Sequence, residues 1–159
     1  MPTLWSCLIV GFGGALGTIA RYLLSFAGLS ISRELPIATI LINVIGSFLI
    51  GFVGTLTLAD GRFPASENVR IFMMVGVCGG YTTFSAFSLQ TLDLLRSGAV
   101  VRALINVVAS VVLCILAVAL GHWIASRWRG GDSRMVQVAI EGESAIAEVQ
   151  RVRGPSRSI

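Results

Sequence analysis

The sequence contains no lysine; all of its 12 basic residues are arginines, set against 8 acids. Charge of either sign is scarce, at 13% of residues, where soluble domains carry about 25%. The long apolar runs hold no carboxylate: Asp60, Glu67 and Asp93 stand at their edges. Proton-coupled carriers generally depend on a buried carboxylate, so this absence argues against one. The three cysteines, Cys7, Cys78 and Cys114, each lie inside an apolar run without disulfide or zinc spacing. They read as small apolar residues. No nucleophile–base pair and no cluster of metal ligands is visible, which argues against an enzyme. The arginines are scattered and form no basic stripe, so the net charge of +4 does not imply a nucleic acid partner. The start, MPTLWSCLIVGFGGALG, lacks the basic region of a cleaved signal peptide and reads as a first spanning helix. The single histidine, His122, falls near the end of the last apolar run and reads as an interfacial residue.

What is abundant is apolar surface. Hydrophobic residues make up 55% of the 159 positions, and the mean hydropathy is +0.85. A chain of this length suggests one domain, and it cannot hide so much apolar surface in a water-facing globule, so lipid is the expected solvent. A helix needs about 20 mostly apolar residues to cross a bilayer. Four stretches qualify: residues 3–28, with Arg21 as their only charge; 36–59, uncharged and opened by Pro36, which a first helical turn tolerates; 69–95, uncharged between Arg70 and Asp93; and 99–126, with Arg102 near its start. Trp123, Trp128, Arg127 and Arg129 mark the last interface. The expected fold is therefore an all-α integral membrane protein with four transmembrane helices. Residues 1–129 form the membrane domain, and residues 130–159 an extramembrane tail expected to be mobile. Within that tail, the alternation in MVQVAIEGE suits a short strand or a helix.

Small residues recur at helical spacing: Gly13-xxx-Gly17, Ser47-xxx-Gly51 and Gly76-xxx-Gly80. Membrane helices approach closely at such pairs. The arginines near helix ends barely distinguish the two sides. Arg62, Arg70, Arg127 and Arg129 stand on the side of the termini; Arg33, Arg96, Arg102 and, if it snorkels, Arg21 stand on the other. The positive-inside rule then selects no orientation. Such a chain can insert both ways, and the two forms can pair as an antiparallel dimer, although the tail's Arg134, Arg151, Arg153 and Arg157 weaken the balance.

The segment GVCGGYTTFSAFSLQ, residues 76–90, is the most informative. Paired glycines followed by paired threonines make a poor helix interior, with Gly costing about 1 kcal/mol relative to Ala. One reading is a break near Gly79–Thr83, with Thr82 or Thr83 capping the helix that follows. The freed carbonyls would be hard oxygen ligands for a small cation such as sodium. The other reading is a glycine-flexed, continuous helix. Phe84 and Phe87, three apart, share one helix face beside Ser85 and Ser88. Aromatic ring edges are electropositive and can meet an anion; the alternative is that both rings are ordinary core or lipid-facing residues. Asn43, in the middle of TILINVIGSF, must be hydrogen-bonded at membrane depth. Its two amide protons suit either a dehydrated anion or an interhelical bond. Asn106, Ser110 and Cys114 recur every four residues along the last helix, as a polar track or as a packing seam.

Three motifs taken together resemble the Fluc, or CrcB-type, fluoride channel family: GGALGTIARY (residues 13–22), Asn43 followed by Gly46 and Phe48, and GGYTTFSAFS (residues 79–88). The resemblance covers residues 1–129. It implies a dual-topology antiparallel homodimer with two fluoride pores, in which broken third helices cross at the centre around a structural sodium ion. Gly79 and Thr82 match the positions whose backbone carbonyls hold the sodium. Phe84 and Phe87 match the pore-lining phenylalanines, with Thr83 and Ser85 beside them on the ion pathway. Asn43 matches the pore asparagine and Ser110 a serine on the polar track. Arg21 matches a basic residue at one vestibule. Two positions depart from the pattern: Gln90 stands where glutamate is common, and Asn106 where some members have tyrosine. The implied function is passive fluoride export across the cell (inner) membrane to relieve fluoride toxicity. Two other classes compete. A small dual-topology multidrug or cation exporter also has four helices, but relies on a glutamate in its first helix, which this chain lacks. The other is a non-transporting membrane scaffold subunit.

Overall fold

The computed structural model describes the backbone of residues 4–32, 34–58 and 61–153, and side chains within these segments through Trp128. All regular secondary structure among the described residues is helical. Helix α1 (Leu4–Ala27) runs into a 3-10 turn (Gly28–Ile31), and α2 (Ile37–Leu56) follows. The third apolar stretch is composite. It comprises α3 (Glu67–Arg70), a π-helical segment (Ile71–Cys78), α4 (Gly79–Tyr81) and α5 (Phe84–Arg96). Helix α6 (Val100–Arg153) completes the chain. Four helical stretches are long and apolar enough to cross a membrane: Leu4–Ile31, Ile37–Leu56, Glu67–Arg96 and Val100–Trp128. They agree with the spans read from the sequence to within a few residues. Helix α6 passes residue 129 without interruption, so MVQVAIEGE is helical. The side chains of the expected tail, its residues 154–159 and the Arg33 side chain lie outside the described residues.

Small residues decide how these helices pack. Without a hydrophobic driving force in lipid, association depends on close van der Waals fit. Helix α1 lies against the third span through two interlocking glycine pairs. A Cβ at Gly13 would meet the Phe72 carbonyl at 2.8 Å, and one at Gly17 would collide with the Val77 carbonyl. From the other side, a Cβ at Gly80 would meet the Gly14 carbonyl at 2.5 Å. Helices α2 and α6 form the second close pair, with Gly51 against the Val118 carbonyl and Gly121 against the Phe48 carbonyl. Phe52 meets Trp128 edge-on, with ring centroids 5.8 Å apart.

Helix ends are satisfied locally. At the end of α5, the Ala99 N–H donates to the Leu94 carbonyl (2.9 Å) and the Gly98 N–H to the Leu95 carbonyl (3.0 Å). This is a Schellman cap, and it places Gly98 at φ 78°, a conformation glycine adopts without strain. Arg70 reaches back to the end of α2, donating to the Gly54 carbonyl (3.4 Å) and to Thr57 Oγ1 (3.2 Å). A cation there suits the negative end of the helix dipole.

Candidate ion pathway

Two residues of the third span depart from helical dihedrals. Thr82 (φ −79°, ψ 158°) and Thr83 (φ −150°, ψ 109°) are extended. Thr83 caps α5: its side chain accepts the Ala86 N–H at 3.2 Å. Asn43, from α2, fills the gap in the ladder. Its Nδ2 donates to the Thr83 carbonyl (3.1 Å), and the Thr83 N–H donates to its Oδ1 (2.8 Å). The carboxamide thus imitates a peptide group for a residue that has lost its helical partners. Of the two roles open to Asn43, the interhelical bond is made, and one amide proton is left over.

A cavity of about 330 Å³ opens between α2, the third span and α6. Its walls include Asn43, Ser47, Cys78, Gly79, Thr82, Thr83, Phe84, Phe87, Ser110 and Cys114. Seven of the nine residues expected on an ion route or cation site therefore gather here: Asn43, Gly79, Thr82, Thr83, Phe84, Phe87 and Ser110. The Phe84 and Phe87 rings lie 5.4 Å apart at 45°. Phe84 is 79% exposed on a single copy of the chain, whereas Phe87 is half-buried. Ser110 is buried, and its hydroxyl has no hydrogen-bond partner. An unpaired hydroxyl at membrane depth is costly, so it marks a place where something polar belongs.

The remaining two expected residues lie outside that lining. Ser85 is exposed, with its hydroxyl 3.3 Å from Thr83 Oγ1. Arg21 is half-buried, and its Nε donates to the Gly80 carbonyl at 3.4 Å, joined there by Thr18 Oγ1 at 3.3 Å. Arg21 therefore steadies the last turn before the extended threonines.

Gly79 and Thr82 suit a hard cation by donor chemistry. A Cβ at Gly79 would meet only the Met74 carbonyl, at 3.9 Å, so the space beside it is open. The Thr82 N–H and hydroxyl both turn back to the Cys78 carbonyl, each at 3.1 Å. With ψ at 158°, the Thr82 carbonyl points away from the helical direction. Among the described residues no group of His, Cys, Asp and Glu could hold a metal, so any cation here would rest on neutral oxygens.

Of the two amides at Gln90 and Asn106, the first is half-buried and the second buried. Asn106 is 1% exposed; its Nδ2 donates to Thr91 Oγ1 (2.8 Å), which donates to the Phe87 carbonyl (2.7 Å). Asn106 Oδ1 and Gln90 Oε1 are both buried without partners. This brace behind Phe87 was missed by sequence reasoning. The four-residue recurrence of Asn106 and Ser110 was visible, but not the partner on α5.

A family profile described as CrcB-like protein, Camphor Resistance (CrcB) matches residues 8–122. A protein of Methylobacterium radiotolerans is 68% identical over 136 residues, covering 86% of this chain and 95% of the relative. One of Gluconobacter oxydans is 63% identical over 140 residues, covering 87% and 97%. One of Methylocella silvestris is 52% identical over 126 residues, covering 79% and 93%. All three relatives carry the name fluoride-specific ion channel FluC. The match spans all four apolar helices and the extended threonines between them, and this multi-pass membrane chain belongs to the CrcB family.

Proposed function

We propose that the chain is a fluoride-specific ion channel, which lets fluoride leave the cell passively and so relieves its toxicity. The observation that carries this reading is the unpaired Ser110 hydroxyl in a cavity walled by Phe84, Phe87 and Asn43. An anion that sheds water needs donors. The Ser110 hydroxyl, the remaining Asn43 amide proton and aromatic ring edges supply neutral ones. Among the described residues no cationic side chain lines this cavity, which keeps binding weak enough for the ion to leave again. The names of the 68% and 63% identical relatives point to the same ion. The family is one of ion channels, and the chain is a conduit, not an enzyme.

The working unit in this reading is an antiparallel homodimer in the cell (inner) membrane. The extended step at Thr82 and Thr83 is its functional helix break, and two such breaks meet on the twofold axis. Phe84, at 79% exposure, borders the cavity while one wall stands open, as expected if a second copy supplies it. Hard cations gather several oxygens, and the Gly79 and Thr82 carbonyls of one chain are too few. Two copies would hold a structural sodium ion, which would fix the dimer centre and take no part in transport.

Fluoride efflux from liposomes containing purified protein, read with a fluoride electrode, tests the reading. Fluoride should flow far faster than chloride. Phe84→Ile and Phe87→Ile should each slow efflux about tenfold or more, equivalent to ~1.4 kcal/mol on the barrier, without altering the protein's elution on gel filtration. Equal fluoride and chloride rates, or no flux above empty liposomes, would overturn it.

A further inference from the structure

Helix α6 sends two polar side chains, one helical turn apart, to different places. Ser110 reaches the cavity, whose α6 wall is Ser110, Val111 and Cys114. Asn106, four residues earlier, is 1% exposed and reaches α5 instead. Its Nδ2 donates to Thr91 Oγ1 at 2.8 Å. The Thr91 hydroxyl has a single proton and gives it to the Phe87 carbonyl at 2.7 Å. Toward Asn106 it can therefore only accept, which fixes the amide with its nitrogen on Thr91. Two hydrogen bonds in series thus run from α6 to the backbone of Phe87.

The carbonyl at the end of this relay belongs to a residue that lines the cavity and whose ring stands 5.4 Å from that of Phe84. A threonine hydroxyl that bonds back to the carbonyl four residues earlier bends a helix slightly. Here Asn106 holds the half-buried Thr91 hydroxyl in that position. The arrangement has a cost in stability. Asn106 Oδ1 is buried without a donor, a penalty that an apolar side chain would not carry. Gln90 Oε1, beside Thr91 in the chain, is also buried and unpaired. Both oxygens are acceptors and offer an anion nothing. Stability alone favours a hydrophobic residue at position 106, so the worth of the amide lies in what its nitrogen holds.

We propose that Asn106 is a positioning residue for the ion path: acting through Thr91, it sets the place of Phe87 and so the aim of the ring that fluoride passes beside Phe84. Asn106 itself does not touch the ion. The inference rests on the channel reading above, in which Phe87 lines the route. Aim matters because an aromatic ring attracts an anion at its edge and repels it at its face.

The test is a mutant cycle read by fluoride efflux from liposomes and by thermal unfolding in detergent. Asn106→Leu removes the donor together with the unpaired oxygen, and it leaves the Thr91 hydroxyl its bond to the Phe87 carbonyl. It strands no polar group, so its melting temperature should not fall. Efflux should nevertheless slow about fivefold, within the coupling range of residues in one hydrogen-bond network. Asn106→Ala, which cannot overpack the site, should slow efflux as well. Thr91→Val should act likewise, and Thr91→Ser, which keeps the hydroxyl, should recover what the valine loses. The sharpest comparison uses Phe87→Ile as the background. With the ring gone, adding Asn106→Leu should change efflux no further. A further loss of about fivefold there would overturn the inference, because Asn106 would then act independently of Phe87. Native efflux from both Asn106 variants would overturn it too, as would a loss of efflux matched by a loss of folded protein on gel filtration. Absence of fluoride flux from the native protein, or native flux from Phe87→Ile, would instead overturn the channel reading beneath it.

Discussion

Asn43 shows how far a single residue could be read in advance. A carboxamide at membrane depth had to be hydrogen-bonded, and that much followed from the cost of burying it. Its partner, Thr83, lies 40 residues away, and no local pattern links the two. The partner also has an unusual need: both of its backbone groups are paired with one side chain because its dihedrals left the helix. Replacing Asn43 with alanine should therefore do more than remove the donor proposed for the ion path. It strands a half-buried N–H and a half-buried carbonyl, at up to about 1–3 kcal/mol each. Asn43→Ala should lower the melting temperature in detergent as well as the flux. Asn43→Asp can still accept the Thr83 N–H but places a carboxylate in the cavity. It should retain more stability than the alanine variant and yet conduct no fluoride, since like charges repel. If both variants melt like the native protein, the Asn43–Thr83 pair contributes nothing to the fold.

At the scale of elements, the four spans were legible because hydrophobic length is a strong signal and each run is bounded by charge or proline. Capping of α5 was legible to within one position, since threonine ahead of a helical run offers an N-cap; Thr83 takes it and Thr82 does not. The π-helical segment Ile71–Cys78 was not legible. Its composition, IFMMVGVC, suits an α-helix equally well, and the wider turn is decided by tertiary contacts. Nor did the small-residue spacings say which glycine meets which helix. The structure separates glycines that look alike in sequence. A Cβ at Gly17 would strike the Val77 carbonyl and lie 2.8 Å from the Tyr81 N–H, whereas one at Gly11 meets nothing within 4 Å. Gly17→Ala should therefore force α1 away from the third span, at a cost of about 1–3 kcal/mol, while Gly11→Ala should be neutral or slightly stabilising through helix propensity. Thermal unfolding of the two variants in one detergent distinguishes them. Equal melting temperatures would mean that α1 has no close seat on the third span.

For the whole molecule, the sequence offered one clue that a single copy of the structure cannot carry, the near-balance of arginines on the two sides. The structure sharpens the count. Arg21 is half-buried and bonded to the Gly80 carbonyl, so it does not reach a headgroup in this arrangement and drops out of the tally. Arg70 is tied to a carbonyl at the end of α2 and Arg62 to the Trp128 carbonyl within α6, yet they remain at the surface side of the bundle and still act on orientation. The bias is then small enough for two added charges to override it, because orientation responds to Lys and Arg in short loops within about 15–20 residues of a span. Ser66 and Asn68 are exposed at the start of the third span, and Leu29 and Ser30 are exposed just after α1, on the opposite side. Ser66→Lys with Asn68→Lys should lock the chain in one orientation, and Leu29→Lys with Ser30→Lys in the other. If the conducting unit is an antiparallel pair, each double variant expressed alone should lose most of its fluoride efflux. Expressing both in one cell should restore it, since each supplies the orientation that the other lacks. Full efflux from either variant alone would remove the antiparallel arrangement. It would also require another explanation for why Phe84, beside the cavity between α2, the third span and α6, is left 79% exposed by its own chain.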